Sequence, residues 1–261
     1  MTSAPLMNRR AMAAGLTAAA LASPARSAAG PMVTVLAAAS LQTALDDIAD
    51  LWRAQGGAVR VAYGASGALV RQLEQGAPAD ILATADLEWM AQAETRKLMR
   101  PRSKVTLAGN RLALVAGPGG PARLRVAPGF ALAAALGRGR LATADPASVP
   151  LGRYARAALT SLGVWDAVAP RLAPADTART ALALVARGEA PLGVVYATDA
   201  RAEPRVRVLD VFPASSHPPI LYPAALTTRA GPQAARLLAF LISPPARAVW
   251  DRLGFIRPGA V

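Results

Sequence analysis

The sequence predicts an α/β protein whose strands run mostly parallel in two lobes. Three observations carry this. Strand–turn–helix units follow one another from Val33 onward. The first two strands each run into a serine where a helix begins. With 261 residues, 53% of them hydrophobic, the chain is long enough for two compact lobes.

The first unit runs from Val33 to Leu45 as a short apolar strand, a turn of small residues around Ala37-Ala38-Ala39-Ser40, and a helix. Leu41, Ala44, Leu45, Ile48, Leu51 and Trp52 recur at helical spacing on one face. Ser40 stands where an N-cap is expected. A strand ending in small residues lets a ligand approach the backbone. The helix that follows points free N–H groups and a partial positive charge at the same spot, which makes an anion-binding corner.

The second unit has Val59 to Tyr63 as an alternating strand, Gly64-Ala65-Ser66-Gly67-Ala68 as the turn, and a helix through Leu69 and Leu73. Parallel strands would put the hydroxyls of Ser40 and Ser66 on one sheet edge, the carboxyl edge where open α/β sheets bind ligands. In the third, Ile81 to Ala83 form a buried strand and Asp86 caps a helix whose Trp89 and Met90 pack inward. Farther on, Asp145-Pro146 makes a turn and Pro150-Leu151-Gly152 opens a helix, where proline's missing N–H costs nothing. Another helix opens at Asp176-Thr177-Ala178, and Leu192 to Val195 form a buried strand ending in Tyr196.

Composition narrows the function. The net charge is +13, but lysine occurs only at 97 and 104, and the arginines are scattered without interleaved aromatics. This pattern resembles coding bias rather than a nucleic-acid surface, so no nucleic-acid partner is expected. Residues 1–28 read as a signal peptide: Arg9-Arg10, an apolar stretch of about a dozen residues, then small residues near Ala25 to Ala29. The stretch is shorter than the roughly 20 residues a membrane span needs. The arginine pair matches a twin-arginine signal weakly; either that or the general secretory route would export the chain. Zero cysteines leave no lipid attachment site, disulfide framework or thiolate metal site, so a free periplasmic protein is expected.

The runs Ala37-Ala38-Ala39-Ser40-Leu41, Gly64-Ala65-Ser66-Gly67 and Gln75-Gly76-Ala77-Pro78-Ala79-Asp80 closely resemble the periplasmic molybdate-binding proteins of ABC transporters. So do Leu107 to Leu112, Val149-Pro150-Leu151-Gly152-Arg153-Tyr154-Ala155 and Ala190 to Tyr196, in order along nearly the whole mature chain. The resemblance implies a two-lobed periplasmic-binding-protein fold, each lobe a mostly parallel sheet flanked by helices. The chain would cross between lobes near Ala108–Arg111 and near Leu221–Pro223. Lobe one would hold residues 30–109 and 224–261, and lobe two residues 110–223. The Gly117–Pro121 run is then a surface loop of lobe two.

The same resemblance implies a site made of the hydroxyls of Ser40, Ser66 and Tyr196 and the main-chain N–H groups of Leu151 and Ala178. It implies a receptor without catalysis that takes molybdate, or tungstate, and passes it as a monomer to the membrane permease of an importer. No cofactor is expected, and no metal beyond the molybdenum of the oxyanion. Molybdate near neutral pH is a fully ionised dianion that only accepts hydrogen bonds. Phosphate keeps a proton and would want a carboxylate to receive it. Five neutral donors suit molybdate, tungstate or sulfate, and they avoid desolvating a buried cation. Arg153 and Arg179, close to the two amides, are expected to be structural or steering groups.

Sulfate is one alternative. A serine hydrolase is another, because Gly64-Ala65-Ser66-Gly67-Ala68 nearly matches a nucleophile elbow. Its base would have to be His217, the only histidine, which lies in a proline-flanked loop.

Overall fold

The computed structural model describes residues 1–2 and 31–259. The expected signal peptide thus lies, apart from Met1 and Thr2, outside the described residues. The strands are β1 (Val33–Ala38), β2 (Val59–Gly64), β3 (Ile81–Ala83), β4 (Val105–Asn110), β5 (Leu112–Ala116), β6 (Leu141–Ala144), β7 (Leu172–Ala175), β8 (Leu192–Tyr196), β9 (Arg207–Val211) and β10 (Ile220–Leu226). The helices are α1 (Gln42–Ala54), α2 (Ser66–Glu74), α3 (Leu87–Thr95), α4 (Leu132–Ala135), α5 (Pro150–Ser161), α6 (Trp165–Val168), α7 (Ala178–Ala186), α8 (Ala197–Arg201), α9 (Pro232–Leu241) and α10 (Pro244–Arg252).

The strands form two five-stranded sheets, ordered β2-β1-β3-β10-β4 and β7-β6-β8-β5-β9. Each places three parallel strands side by side, then one antiparallel strand, then an edge strand antiparallel to that one. β6, β7, β8, β5 and β9 thus repeat the places of β1, β2, β3, β10 and β4. Each sheet is mixed, with two parallel and two antiparallel pairings rather than the mostly parallel set expected, and is flanked by helices in the two-lobed arrangement expected from the sequence.

Side chains alternate across each sheet. Val33, Val35 and Ala37 face a core shared with Leu45, Ile48, Leu237 and Trp250 of α1, α9 and α10. Leu36 and Leu82 face the other way, against Leu69, Leu73, Trp89 and Met90 of α2 and α3. In the second sheet Leu112 and Leu114 pack toward Tyr154 and Leu159 of α5, whereas Ala113 and Val115 meet Leu182 and Val185 of α7. The face of α1 is as expected save for Leu51, which is 38% exposed while Ala49 is buried in its stead. At about 100° per residue Leu51 stands roughly 120° around the helix from Leu45, whereas Ala49 and Trp52 stand within about 40° of it.

The chain crosses from the first sheet to the second through Arg111 alone, between β4 and β5. It returns between Val211 and Ile220, close to the Leu221–Pro223 stretch where the resemblance implies the second crossing. Ile220 and Leu221 are already paired with Asn110 and Gly109 of β4. At the same place Gly109 and Ile256 exchange backbone hydrogen bonds of 2.7 and 2.9 Å, tying the C-terminal segment to the first crossing. The Gly117–Pro121 run lies just after β5.

Candidate oxyanion site

The carboxyl ends of β1, β2, β6 and β8 meet across the cleft. A small cavity lies there, lined by Ser40, Ser66, Ala85, Leu151, Ala178 and Tyr196 together with other residues of the same turns. All five residues singled out in the sequence therefore lie on one cavity, two from the first sheet's half and three from the second's. No lining residue is charged.

Neither serine is used as a cap. Ser40 sits in a short 3-10 turn, Ala39–Leu41, and the N-cap position of α1 falls on Leu41 with no side-chain bond. This corrects the expectation that Ser40 caps its helix: the extra 3-10 turn moves the helix start past it. Ser66 is the first residue of α2, and Ala65 precedes it without capping. The Ser66 Oγ accepts the Ala85 N–H at 3.0 Å. With its acceptor side engaged, the hydroxyl has its proton to donate. Both serines are buried, at 3% and 1% exposure.

Leu151 and Ala178 lie in the first turns of α5 and α7, where N–H groups have no intrahelical partner. Pro150 takes the first position of α5. Gly152 allows this turn to sit against β6: a Cβ there would be 2.3 Å from the Ala144 carbonyl oxygen. Thr177 caps α7 by accepting the Thr180 N–H at 3.1 Å, leaving the Ala178 amide free for the cavity. The partial positive ends of α2, α5 and α7 thus converge on the same space.

The Tyr196 hydroxyl is buried without a hydrogen-bond partner. Burial, reinforced by the neighbouring Tyr222, raises its pKa well above the usual phenol range, so it stays a donor. The Tyr196 ring meets Tyr222 edge to face at 6.0 Å. Tyr222 is held in turn by the Asn110 Nδ2, which donates to both Tyr222 Oη and Thr198 Oγ1 at 2.9 Å. A polar buttress from the first crossing thus supports the tyrosine pair.

The two halves also touch outside the cavity. Trp89 Nε1 donates to the Ser148 carbonyl at 3.2 Å, and Arg179 Nη2 donates to Thr43 Oγ1 at 2.7 Å. Arg179 Nε also lies 2.9 Å from Asp199 Oδ1, a buried ion pair not aligned as a hydrogen bond. Burial pushes the Asp199 carboxyl up to about 7, against the lowering by Arg179. Arg153 pairs with Asp86 and Glu88. Both arginines are bound in ion pairs, and neither lines the cavity.

His217 does not meet Ser66. It lies at the crossings, its Nδ1 2.8 Å from the Pro218 carbonyl and its ring edge-on to Tyr154 at 6.1 Å. No cluster of three or more histidine, cysteine or carboxylate side chains able to hold a metal occurs among the described residues.

Sequence reasoning missed Ala85, whose N–H orients Ser66, and the Asn110–Tyr222 buttress. Ala85 follows the third strand just as Ser40 and Ser66 follow the first two, so the same strand-end argument could have found it.

A family model described as bacterial extracellular solute-binding protein matches residues 33–256. The chain belongs to this family. Among its relatives this solute-binding protein is 42% identical over 233 residues to the molybdate-binding protein ModA of Escherichia coli strain K12, covering 85% of this chain and 88% of that protein. It is 39% identical over 236 residues to ModA of Haemophilus influenzae, covering 87% and 91%. The periplasmic molybdate-binding protein of Azotobacter vinelandii superposes with a TM-score of 0.76 over 87% of this chain and 99% of that one, at 24% identity. The sulfate-binding protein SubI of Mycobacterium tuberculosis superposes at 0.71 over 87% of each chain, with 16% identity. Solute-binding proteins of this fold therefore include those named for different oxyanions, and the fold alone does not choose between them.

Proposed function

We propose that this solute-binding protein captures molybdate, and also tungstate, in the periplasm and delivers it to the membrane permease of an ABC importer. The observation that carries the reading is the chemistry of the cavity: hydroxyl and amide donors from both halves, with no carboxylate and no cation on its wall. Ser40, Ser66 and Tyr196 would donate through their hydroxyls, and Leu151 and Ala178 through their N–H groups. A fully ionised tetrahedral dianion matches such a set, whereas a protonated phosphate would leave its proton without an acceptor. The names of the relatives at 42% and 39% identity support molybdate in particular.

In this mechanism the halves swing about the two crossings and shut on one dehydrated anion. Helix N-termini spread the compensating charge, so no buried arginine has to be desolvated at the anion. The protein acts as a monomeric receptor with no catalytic step, reaches the periplasm through its N-terminal signal, and needs no cofactor.

Thermal unfolding with molybdate, tungstate, sulfate and phosphate in parallel tests the reading. At about 1,000 times Kd a ligand adds roughly 4 kcal/mol to stability. Molybdate and tungstate are expected to raise Tm strongly and phosphate not at all. A rise with sulfate but none with molybdate would transfer the proposal to a sulfate receptor.

A further inference from the structure

Arg153 leaves the second half of the molecule from α5, two residues after Leu151, and reaches α3 of the first half. Its Nη2 pairs with Asp86 Oδ2, and its Nη1 lies 2.6 Å from Glu88 Oε1. The guanidinium also sits 5.6 Å from the centre of the Trp89 ring. Asp86 is prepared for this contact: its other oxygen caps α3 by accepting the Trp89 N–H at 2.9 Å. The Asp86 side chain is 8% exposed and that of Arg153 23%, so this pair is shielded from solvent, whereas Glu88 at 62% is not. Trp89 is located by Gly67, where a Cβ would come within 2.5 Å of the indole ring.

We infer that Arg153 is a positioning residue whose pairing with Asp86 clasps the two halves shut and sets how fast a captured anion is released. Opening the cleft must separate this pair, because its members belong to different sheets' helices. The clasp shares the first two turns of α5 with the Leu151 amide, so an anion drawing on that amide brings Arg153 to Asp86 in the same movement. Glu88, hydrated in both states, contributes little. The inference deepens the receptor reading but is tested apart from it, because a clasp biases closure whether or not an anion is present.

The chain has no cysteine, so Thr95→Cys and Thr160→Cys, at exposed positions on α3 and α5, accept a donor–acceptor dye pair cleanly. Single-molecule energy transfer on the full-length mature protein then gives the closed-to-open ratio without ligand. Arg153→Gln is expected to lower that ratio about tenfold, the scale of one charge-assisted hydrogen bond. Asp86→Asn, which keeps the helix cap, should do the same, with the double variant no worse than either single one. Arg153→Lys should restore part of the ratio, and Glu88→Gln should leave it near the wild-type value. With molybdate as the probe, stopped-flow release should quicken about tenfold in Arg153→Gln, with association little changed.

An unaltered ratio in Arg153→Gln, or a wild-type protein wholly open without ligand, would overturn the clasp. So would a lowered melting temperature with the ratio unmoved, which would mark Arg153 as merely structural. If molybdate fails to close the wild-type protein, the receptor reading falls, and the ligand-free ratio still decides the clasp.

Discussion

Ser66 Oγ accepts the Ala85 N–H at 3.0 Å, so the turn after β3 sets the direction in which the turn after β2 offers its hydroxyl proton. The donor is therefore oriented before any ligand arrives, and that orientation is independent of the second half of the molecule.

Ser66→Ala has two separable costs. It would remove the donor proposed for the anion, worth on the order of 1.5–3 kcal/mol, and leave the buried Ala85 N–H unpaired, about 1–3 kcal/mol of stability. Calorimetric titration should show weaker molybdate binding, and the ligand-free protein should melt at a lower temperature. Ser40→Ala should weaken binding to a similar extent with a smaller loss of melting temperature.

Tyr196→Phe should separate binding from stability in the opposite sense. No protein group hydrogen-bonds this buried hydroxyl, so deleting it removes a polar group that is costly to bury. Binding is expected to weaken by roughly 1.5–3 kcal/mol. The ligand-free melting temperature should hold or rise. A fall in that temperature would mean the hydroxyl already has a partner.

Gly152→Ala should damage the site through the backbone. The added methyl would meet the Ala144 oxygen at 2.3 Å and the Asp145 carbonyl carbon at 2.4 Å. Neither neighbour is a flexible side-chain end, so α5 must move, at about 1–3 kcal/mol in stability. Because the Leu151 amide moves with it, anion affinity and melting temperature should fall together.

The pH dependence of stability should carry the mark of Asp199. Its carboxyl is raised by burial to about 7 in the folded chain, from an ordinary 3.8. The folded state therefore holds this proton more tightly than the unfolded chain does. Its favourable contribution is complete below the unfolded value and is lost as pH rises through the folded one. Lowering pH from 8 toward 5 should thus raise the unfolding free energy, and Asp199→Asn should flatten that part of the profile. His217, lowered by desolvation, acts in the opposite sense, so the comparison is cleanest in a His217→Gln background.

The strand–turn–helix units were legible because their cues are local: a short apolar run, small residues, then helical spacing. Proline at 150 and the aspartate cap at 86 were likewise visible as residue types whose chemistry suits a helix start. Ser40 was harder, since a serine before a helix reads as a cap unless the intervening 3-10 turn is seen. The pairing of Ile220 with Asn110 could not be read locally, because the partner is more than a hundred positions away in the chain. The reach of Arg153 to Asp86 was invisible for the same reason. Periodicity describes a residue's own element and says nothing of which distant element its long side chain will meet. The supporting contacts of Ser66 and Tyr222 also come from separate segments, and only the fold brings them together.

The shared strand order has an outcome for biogenesis. All five strands of the second sheet lie between Leu112 and Val211, in one uninterrupted stretch. The first sheet instead needs β10, which is inserted between β3 and β4 and comes from near the end of the chain. Until Ile220–Leu226 arrives, β4 has no neighbour within its sheet and β3 presents a bare edge. The strands of one half are therefore all present before the sheet of the other can be closed, and a cavity that needs both halves cannot be complete until Ile220–Leu226 has been made.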